Sequence, residues 1–228
     1  MSALLHAPLR LVIGDKTYSS WSLRAWYFMT MSNISFEEVP LSLSSESFAA
    51  EIQKYSGAGK VPVLLHDQSV IWDSLAICEY ASETFLDGRG WPAVPQQRAW
   101  ARSVVAEMHS SFSSLRQEMP MDCSLAHPSF CPSTLVREDI RRIESLWHDC
   151  RKAHRSEGPW LFGRFSIADA MFAPVASRFR SYGVSLDALG DDYMQTLLES
   201  EGMQRWYAQA KAEMQSRQGL QATAANVF

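Results

Sequence analysis

Two short apolar runs, Val61-Pro62-Val63-Leu64-Leu65 and Val70-Ile71-Trp72, flank a polar turn at Asp67-Gln68. Strands this close in sequence can pair only as an antiparallel hairpin. Upstream, Leu9, Leu11 and Ile13 alternate with other residues and predict a strand that stops at Gly14. Residues 36–41 predict a second strand, on an edge because Pro40 removes a ladder donor. Between those two, residues 21–31 lack Gly and Pro and carry Leu23, Trp26, Tyr27 and Met31, which reads as a helix starting near Ser19 or Ser20. A helical crossover makes the first two strands parallel. A short helix over 47–54 ends at Gly57-Ala58-Gly59. A longer one opens at Asp73-Ser74 and carries Leu75, Ala76, Ile77, Tyr80 and Ala81. The order is β-α-β-α-β-β-α, and a sheet with one parallel crossover and one hairpin defines a compact α/β unit.

The pattern changes at Asp87-Gly88-Arg89-Gly90-Trp91-Pro92, a Gly/Pro-rich stretch that reads as a linker. It divides the chain into expected domains 1–87 and 93–228. Everything after it has helical spacing. Trp100, Val104, Met108, Phe112 and Leu115 form one stripe, with Val105 beside it. Val136, Ile140, Ile143, Trp147 and Cys150 form another, after a loop over 120–132. Ile167, Met171, Phe172, Val175 and Phe179 mark a third helix, and Met203, Trp206, Tyr207, Ala210 and Met214 a fourth. Helices in such a bundle are expected to bury roughly three residues in seven. Residues 219–228 have little pattern and are expected to be loosely held.

Composition removes whole classes of function. The chain has 228 residues, 46% hydrophobic and 20% charged, enough to bury a sizeable core. Its net charge is −4 and it has no Lys/Arg run, which disfavours nucleic acid as a partner. No uncharged apolar stretch reaches the ~18 residues of a membrane span. Residues 1–9 lack the basic start of a secretory signal, so a cytoplasmic location is expected. Cys78, Cys123, Cys131 and Cys150 form no C-x-x-C pair, and the six histidines are dispersed, so no metal is expected. G-x-S-x-G, H-E-x-x-H and the phosphate-binding G-x-x-x-x-G-K-[ST] are all missing.

Four strings, in this order, carry a resemblance: Ser19-Ser20-Trp21-Ser22-Leu23-Arg24, Lys60-Val61-Pro62-Val63-Leu64, Asp73-Ser74-Leu75-Ala76-Ile77 and Ser166-Ile167-Ala168-Asp169. Each alone is weak; together they resemble the cytosolic glutathione S-transferase family over nearly the whole chain. The first string is similar to serine-type, bacterial-like members with a zeta- or tau-like start. The resemblance implies a thioredoxin-like α/β domain followed by an all-helical domain. It also implies glutathione as co-substrate, an electrophilic small molecule as second substrate, a detoxifying role and a homodimer.

The same resemblance assigns roles. Ser19 is the expected catalytic hydroxyl, with Ser20 its rival and Tyr18 behind both. Glutathione brings its own thiol, so the protein has to stabilise a thiolate, and a hydroxyl at the positive end of a helix does so. Val61, before a proline expected to be cis, is expected to pair its backbone with the cysteinyl unit of glutathione. Asp73 and Ser74 are expected to hold the γ-glutamyl end at a helix N-terminus. Where the family often has Glu, this chain has the shorter Asp73. Lys60 stands either as partner of the glycyl carboxylate or as a solvated loop charge. Ser19, Ser20 and Asp73-Ser74 also read as plain helix caps. Trp21, His109 and Phe112 are candidates to line the second substrate's pocket, with Trp72 also able to line an apolar one; an aromatic at helical spacing, as Phe112 is, reads more simply as core, and a solvated or hydrogen-bonded helix histidine is the simpler reading of His109. Ser166 and Asp169 read as a capping box without chemistry.

Two other functions fit the fold: a non-catalytic binding or regulatory protein, and a glutathione-dependent isomerase or peroxidase. Retention of Ser19, Pro62 and Ser74 weighs against a degenerate site. Zeta-like isomerases usually carry Ser-Ser-Cys where this chain has Ser19-Ser20-Trp21, and the lack of a cysteine there weighs against thiol transfer.

Overall fold

A computed structural model describes residues 8–127 and 129–225. Four strands, β1 (Arg10–Gly14), β2 (Glu37–Leu41), β3 (Val63–His66) and β4 (Ser69–Trp72), form one mixed sheet in the order β2-β1-β3-β4. β1 and β2 are parallel, with Arg10 opposite Glu37; β1–β3 and β3–β4 are antiparallel. β2 is an edge, as Pro40 requires. Pro62 lies just before β3, so it costs the ladder nothing.

The pleat sorts the sheet residues into two cores. Val12 and Val63 join Leu41 and Ile52 in a small cluster. Leu11, Ile13 and Leu64 face the other way, into a core continuous with the helical half. Helices α1 (Ser20–Met31) and α3 (Ser74–Leu86) pack together on that core, and the short α2 (Phe48–Gln53) supplies Ile52 to the small cluster. α1 packs against α3, α7 and α9, so Ser22 through Met29 are all buried.

The helical half comprises α4 (Pro95–Ser110), α5 (Ser113–Glu118), α6 (Thr134–His154), α7 (Ile167–Tyr182), α8 (Ala188–Glu199) and α9 (Glu201–Ala225). Several features depart from the sequence reading. The stripe from Trp100 to Leu115 is not one helix: Phe112 takes φ 62°, breaking it into α4 and α5. That conformation is uncommon for a bulky residue. Helix α8 has no counterpart among the four expected stripes, although Asp187 caps it by accepting from Gly190 N at 2.7 Å. α7 is buried on nearly every side rather than on one stripe, as the central rod against α1, α4 and α8. The helix expected to fade at Gly219 continues to Ala225; residues 226–228 of that segment lie outside the described residues.

Close approach fixes how the halves meet. A Cβ on Gly202, at the start of α9, would come within 2.7 Å of the Tyr27 ring of α1. Trp206, one turn on, packs edge-to-face on Trp26 at 5.1 Å. The capping box of α7 forms: Asp169 accepts from Ser166 N at 2.8 Å and the Ser166 hydroxyl at 3.1 Å. Asp169 also accepts from Leu161 N (3.0 Å) and the Tyr193 hydroxyl (3.1 Å). It ties a loop and two helices, more than a local cap.

Candidate functional site

A cavity of about 570 Å³ opens between the start of α1, the turn before β3 and the start of α3. Its walls are Trp21, Ala58, Lys60, Val61, Pro62, Trp72, Asp73 and Ser74. The Val61–Pro62 peptide is cis. Three of the four strings singled out in the sequence therefore meet in one cleft. Ser19, Ser20, His109 and Phe112 do not line it.

The start of α3 is the floor. Asp73 caps the helix, its Oδ1 accepting from Leu75 N at 2.9 Å and Ala76 N at 3.3 Å. Its backbone sits at φ 75°, ψ 132°, a conformation that costs a non-glycine residue of order 1–3 kcal/mol. The other oxygen, Oδ2, lies 3.1 Å from His109 Nε2 on α4. Burial raises the Asp73 carboxyl, but the His109 hydrogen bond and charge and the two amides outweigh it, so it titrates below its usual range. Ser74, the next residue, is 1% exposed, and its Oγ is buried without a hydrogen-bond partner. Such a group costs about 1–3 kcal/mol unless something occupies it.

The start of α1 is built differently. Ser19 is buried at the cap position, and its Oγ donates to Ser22 Oγ at 2.7 Å. Ser22 Oγ also accepts from Gly14 N, at the end of β1, at 3.0 Å. Ser22 has no role assigned from the sequence, although it stands in the Ser19–Arg24 string, three residues after Ser19. Ser20 N is occupied by Tyr18 O at 2.9 Å. The turn preceding Ser19 is held from the helical half. Lys16 O accepts from Trp206 Nε1 at 2.9 Å, Lys16 N donates to Glu213 Oε2 at 3.0 Å, and Asp15 pairs with Arg217. Thr17 O accepts from Cys123 N at 3.0 Å. The buried Lys16 ammonium pairs with Glu38 and lies over the Trp26 and Trp206 rings.

Trp21 is half-buried between the cavity and the helical half, with His109 edge-on at 5.3 Å. Phe112, 5% exposed, belongs to the core at the α4–α5 break. Lys60 is exposed on the rim. Among the described residues no cluster of three or more His, Cys, Asp or Glu is arranged to hold a metal, and no helix is long and apolar enough to cross a membrane.

Comparison with known proteins agrees with this arrangement. Residues 18–84 match the family model of the glutathione S-transferase N-terminal domain, and residues 98–209 that of the C-terminal domain. A maleylacetoacetate isomerase from Rattus norvegicus is 36% identical over 174 residues, 74% of this chain and 77% of that protein. A probable maleylacetoacetate isomerase from Caenorhabditis elegans is 36% identical over 86 residues, spanning only 40% of its length. Among solved structures, a glutathione transferase homologue from Burkholderia with bound glutathione superposes with a TM-score of 0.68 over 90% of this chain and 100% of that one, at 22% identity. That last likeness is one of fold.

Proposed function

We propose, since the chain belongs to the glutathione S-transferase family, that it binds glutathione in the cavity at the start of α3 and transfers its thiol to an electrophilic small molecule. The observation that carries this is the Ser74 hydroxyl: buried, unpartnered and at the positive end of a helix. It fits a carboxylate, which would accept from it and from the helix-terminal amides. In this reading Ser74 takes the γ-glutamyl carboxylate, Asp73 faces the adjoining ammonium, and Val61 pairs its backbone with the cysteinyl unit. Lys60 meets the glycyl carboxylate at the rim, and Ser20 stands beside the ligand at the first turn of α1.

Ser19 then activates the thiol. Its hydrogen is donated to Ser22 Oγ in the structure. Rotating the hydroxyl toward the sulfur leaves Ser22 still accepting from Gly14 N, so the exchange leaves no backbone group unpaired. The donated bond and the α1 N-terminus favour thiolate over thiol. The thiolate attacks the electrophilic carbon, forming a C–S bond, while the bonding pair leaves with the displaced group or moves into a conjugated acceptor that water protonates. Trp21 and His109 lie on the acceptor side, while Phe112 stays in the core. The likeness to the rat protein favours a second reading, in which a thiolate adds reversibly and is expelled after bond rotation, giving isomerisation. A homodimer belongs to the proposal: the exposed Trp72 and Val70 on the outer strand β4 give a second copy an apolar edge to cover. So does a cytoplasmic location.

The test of activation is the pKa of the bound thiol, read from thiolate ultraviolet absorbance across pH. The wild type should titrate well below free glutathione, and Ser19→Ala should move the bound value up by about 1 unit or more, since one unit is about 1.4 kcal/mol and a charge-assisted hydrogen bond is worth that much. An unchanged thiol pKa in a Ser19→Ala protein that still binds would remove Ser19 from the chemistry.

A further inference from the structure

Behind the Trp21 ring lies positive charge that the glutathione site does not use. Arg24 of α1 is 2% exposed, and its guanidinium stacks on Trp21 at 4.2 Å from the ring centroid. Its Nε and Nη1 have no hydrogen-bond partner. Arg116 of α5 approaches the same ring at 5.8 Å; it is half-buried, with Nη1 enclosed and unpartnered. Arg178 of α7, 4% exposed, donates only to carbonyls, from Nε to Met119 O at 2.8 Å and from Nη1 to Pro174 O at 3.3 Å. Burial, then Arg178 and Arg116, bring the Arg24 pKa down to about 9; burial, then Arg116, bring Arg178 to about 10.

The carboxylates that act on this group are committed elsewhere. Asp73 spends one oxygen on the α3 amides and the other on His109. Asp139, which acts on Arg116, accepts from Leu115 N at 2.9 Å. Among the described residues none of the three arginines forms an ion pair. Buried charges in proteins are ordinarily paired, because an unpaired one is costly. Here two guanidinium groups, from α1 and α5, face one ring, a third from α7 lies within electrostatic reach of Arg24 and Arg116, and that ring is also a wall of the cavity. The arrangement is complete once an anion occupies the acceptor side of Trp21.

We propose that Arg24, Arg116 and Arg178 form the acceptor-recognition wall, and that the electrophile this protein prefers carries a carboxylate. The inference rests on the transferase reading above and adds the chemical class of the second substrate. Half-exposed Arg116 meets the carboxylate beside Trp21. Arg24, stacked on the ring, and Arg178, beyond it in α7, act through the field they create in a water-poor interface.

The test compares 4-chloro-3-nitrobenzoate with its methyl ester at saturating glutathione, each rate divided by that of the uncatalysed reaction. The acid-to-ester ratio of normalised kcat/KM should exceed one by tenfold or more in the wild type. Arg116→Gln should cut that ratio at least tenfold; Arg24→Met, if it folds, should cut it too. Calorimetric titration with unreactive 3-nitrobenzoate, without glutathione, supplies an independent readout: saturable binding that Arg116→Gln weakens at least tenfold supports the wall. Normal glutathione binding with equal ratios in wild type and Arg116→Gln overturns the inference and leaves the transferase reading standing. Failure of glutathione to bind would sink the transferase reading, and 3-nitrobenzoate would still decide the wall. No 3-nitrobenzoate binding by the wild type overturns it.

Discussion

Helices α3 and α7 both begin with a serine and an aspartate, and the two starts do opposite things. At α7 every oxygen of the pair is used: the Asp169 carboxylate takes Ser166 N and Oγ, Leu161 N and the Tyr193 hydroxyl, and the group is fully buried. At α3 the aspartate caps the helix and reaches His109, but the Ser74 hydroxyl is left over, facing a cavity. The same residue types thus close one helix end as a structural joint and leave the other open as a receptor for an anion. What separates them is whether a buried polar atom is satisfied within the chain.

The sharpest way to break this contrast is Asp169→Ala. It strands several buried donors at once, which should cost about 3–5 kcal/mol and lower Tm by about 10 °C. Glutathione affinity of the folded fraction should be unaltered. Thermal denaturation and calorimetry check both halves; a selective loss of affinity in fully folded Asp169→Ala protein would mean α7 also serves the site.

Ser74→Ala should do the reverse. Removing an orphan hydroxyl should hold Tm or raise it by a few degrees, while losing its bond to a ligand carboxylate should weaken glutathione binding by ~10–100-fold, the equivalent of about 1.4–2.7 kcal/mol. The start of α1 falls between these extremes, since its serine is satisfied by another serine. Ser22→Ala removes the acceptor of both Ser19 and Gly14 N, and should destabilise by about 1–3 kcal/mol while leaving glutathione affinity within severalfold of wild type. A Ser22→Ala protein as stable as wild type would show that Gly14 N finds another partner.

The smallest expected effects are in pH dependence, and the two aspartates should differ in sign. Asp169 is pushed up to about 6, chiefly by burial. Its folded pKa exceeds the unfolded one, so the native state holds the extra proton between about pH 4 and 6, and this group's contribution falls as pH rises through that window. Asp73 is shifted down, so its contribution is present above the ordinary carboxylate range and is lost as acid protonates it. Asp169→Asn should flatten the loss of Tm from pH 4 to 6, and Asp73→Asn should flatten the loss below pH 4. Parallel changes in both variants would contradict the contrast.

Much of this architecture is legible in the sequence itself. The hairpin at Asp67-Gln68 and the crossover through 21–31 determine a mixed sheet, because strand spacing alone decides parallel or antiparallel pairing. Lys60, Val61, Pro62, Asp73 and Ser74 stand in contiguous strings, and the fold does bring them to one cavity. What escapes the sequence depends on tertiary contacts. The break at Phe112 has no Gly or Pro to mark it, and α8 carries Gly190 in its first turn, which weakens the pattern. The burial of α7 comes from neighbours on every side, which no single stripe can reveal. Arg24, Arg116 and Arg178 come from three separate helices, so their proximity is set by packing and not by spacing along the chain.

Calorimetric titration of glutathione into wild type, Ser74→Ala and Asp169→Ala decides whether the open start of α3 is the receptor. The wild type should bind saturably, a fully folded Ser74→Ala at least tenfold more weakly, and whatever fraction of Asp169→Ala is folded with wild-type affinity. Wild-type affinity in Ser74→Ala, or no binding by the wild type up to millimolar glutathione, would contradict that role.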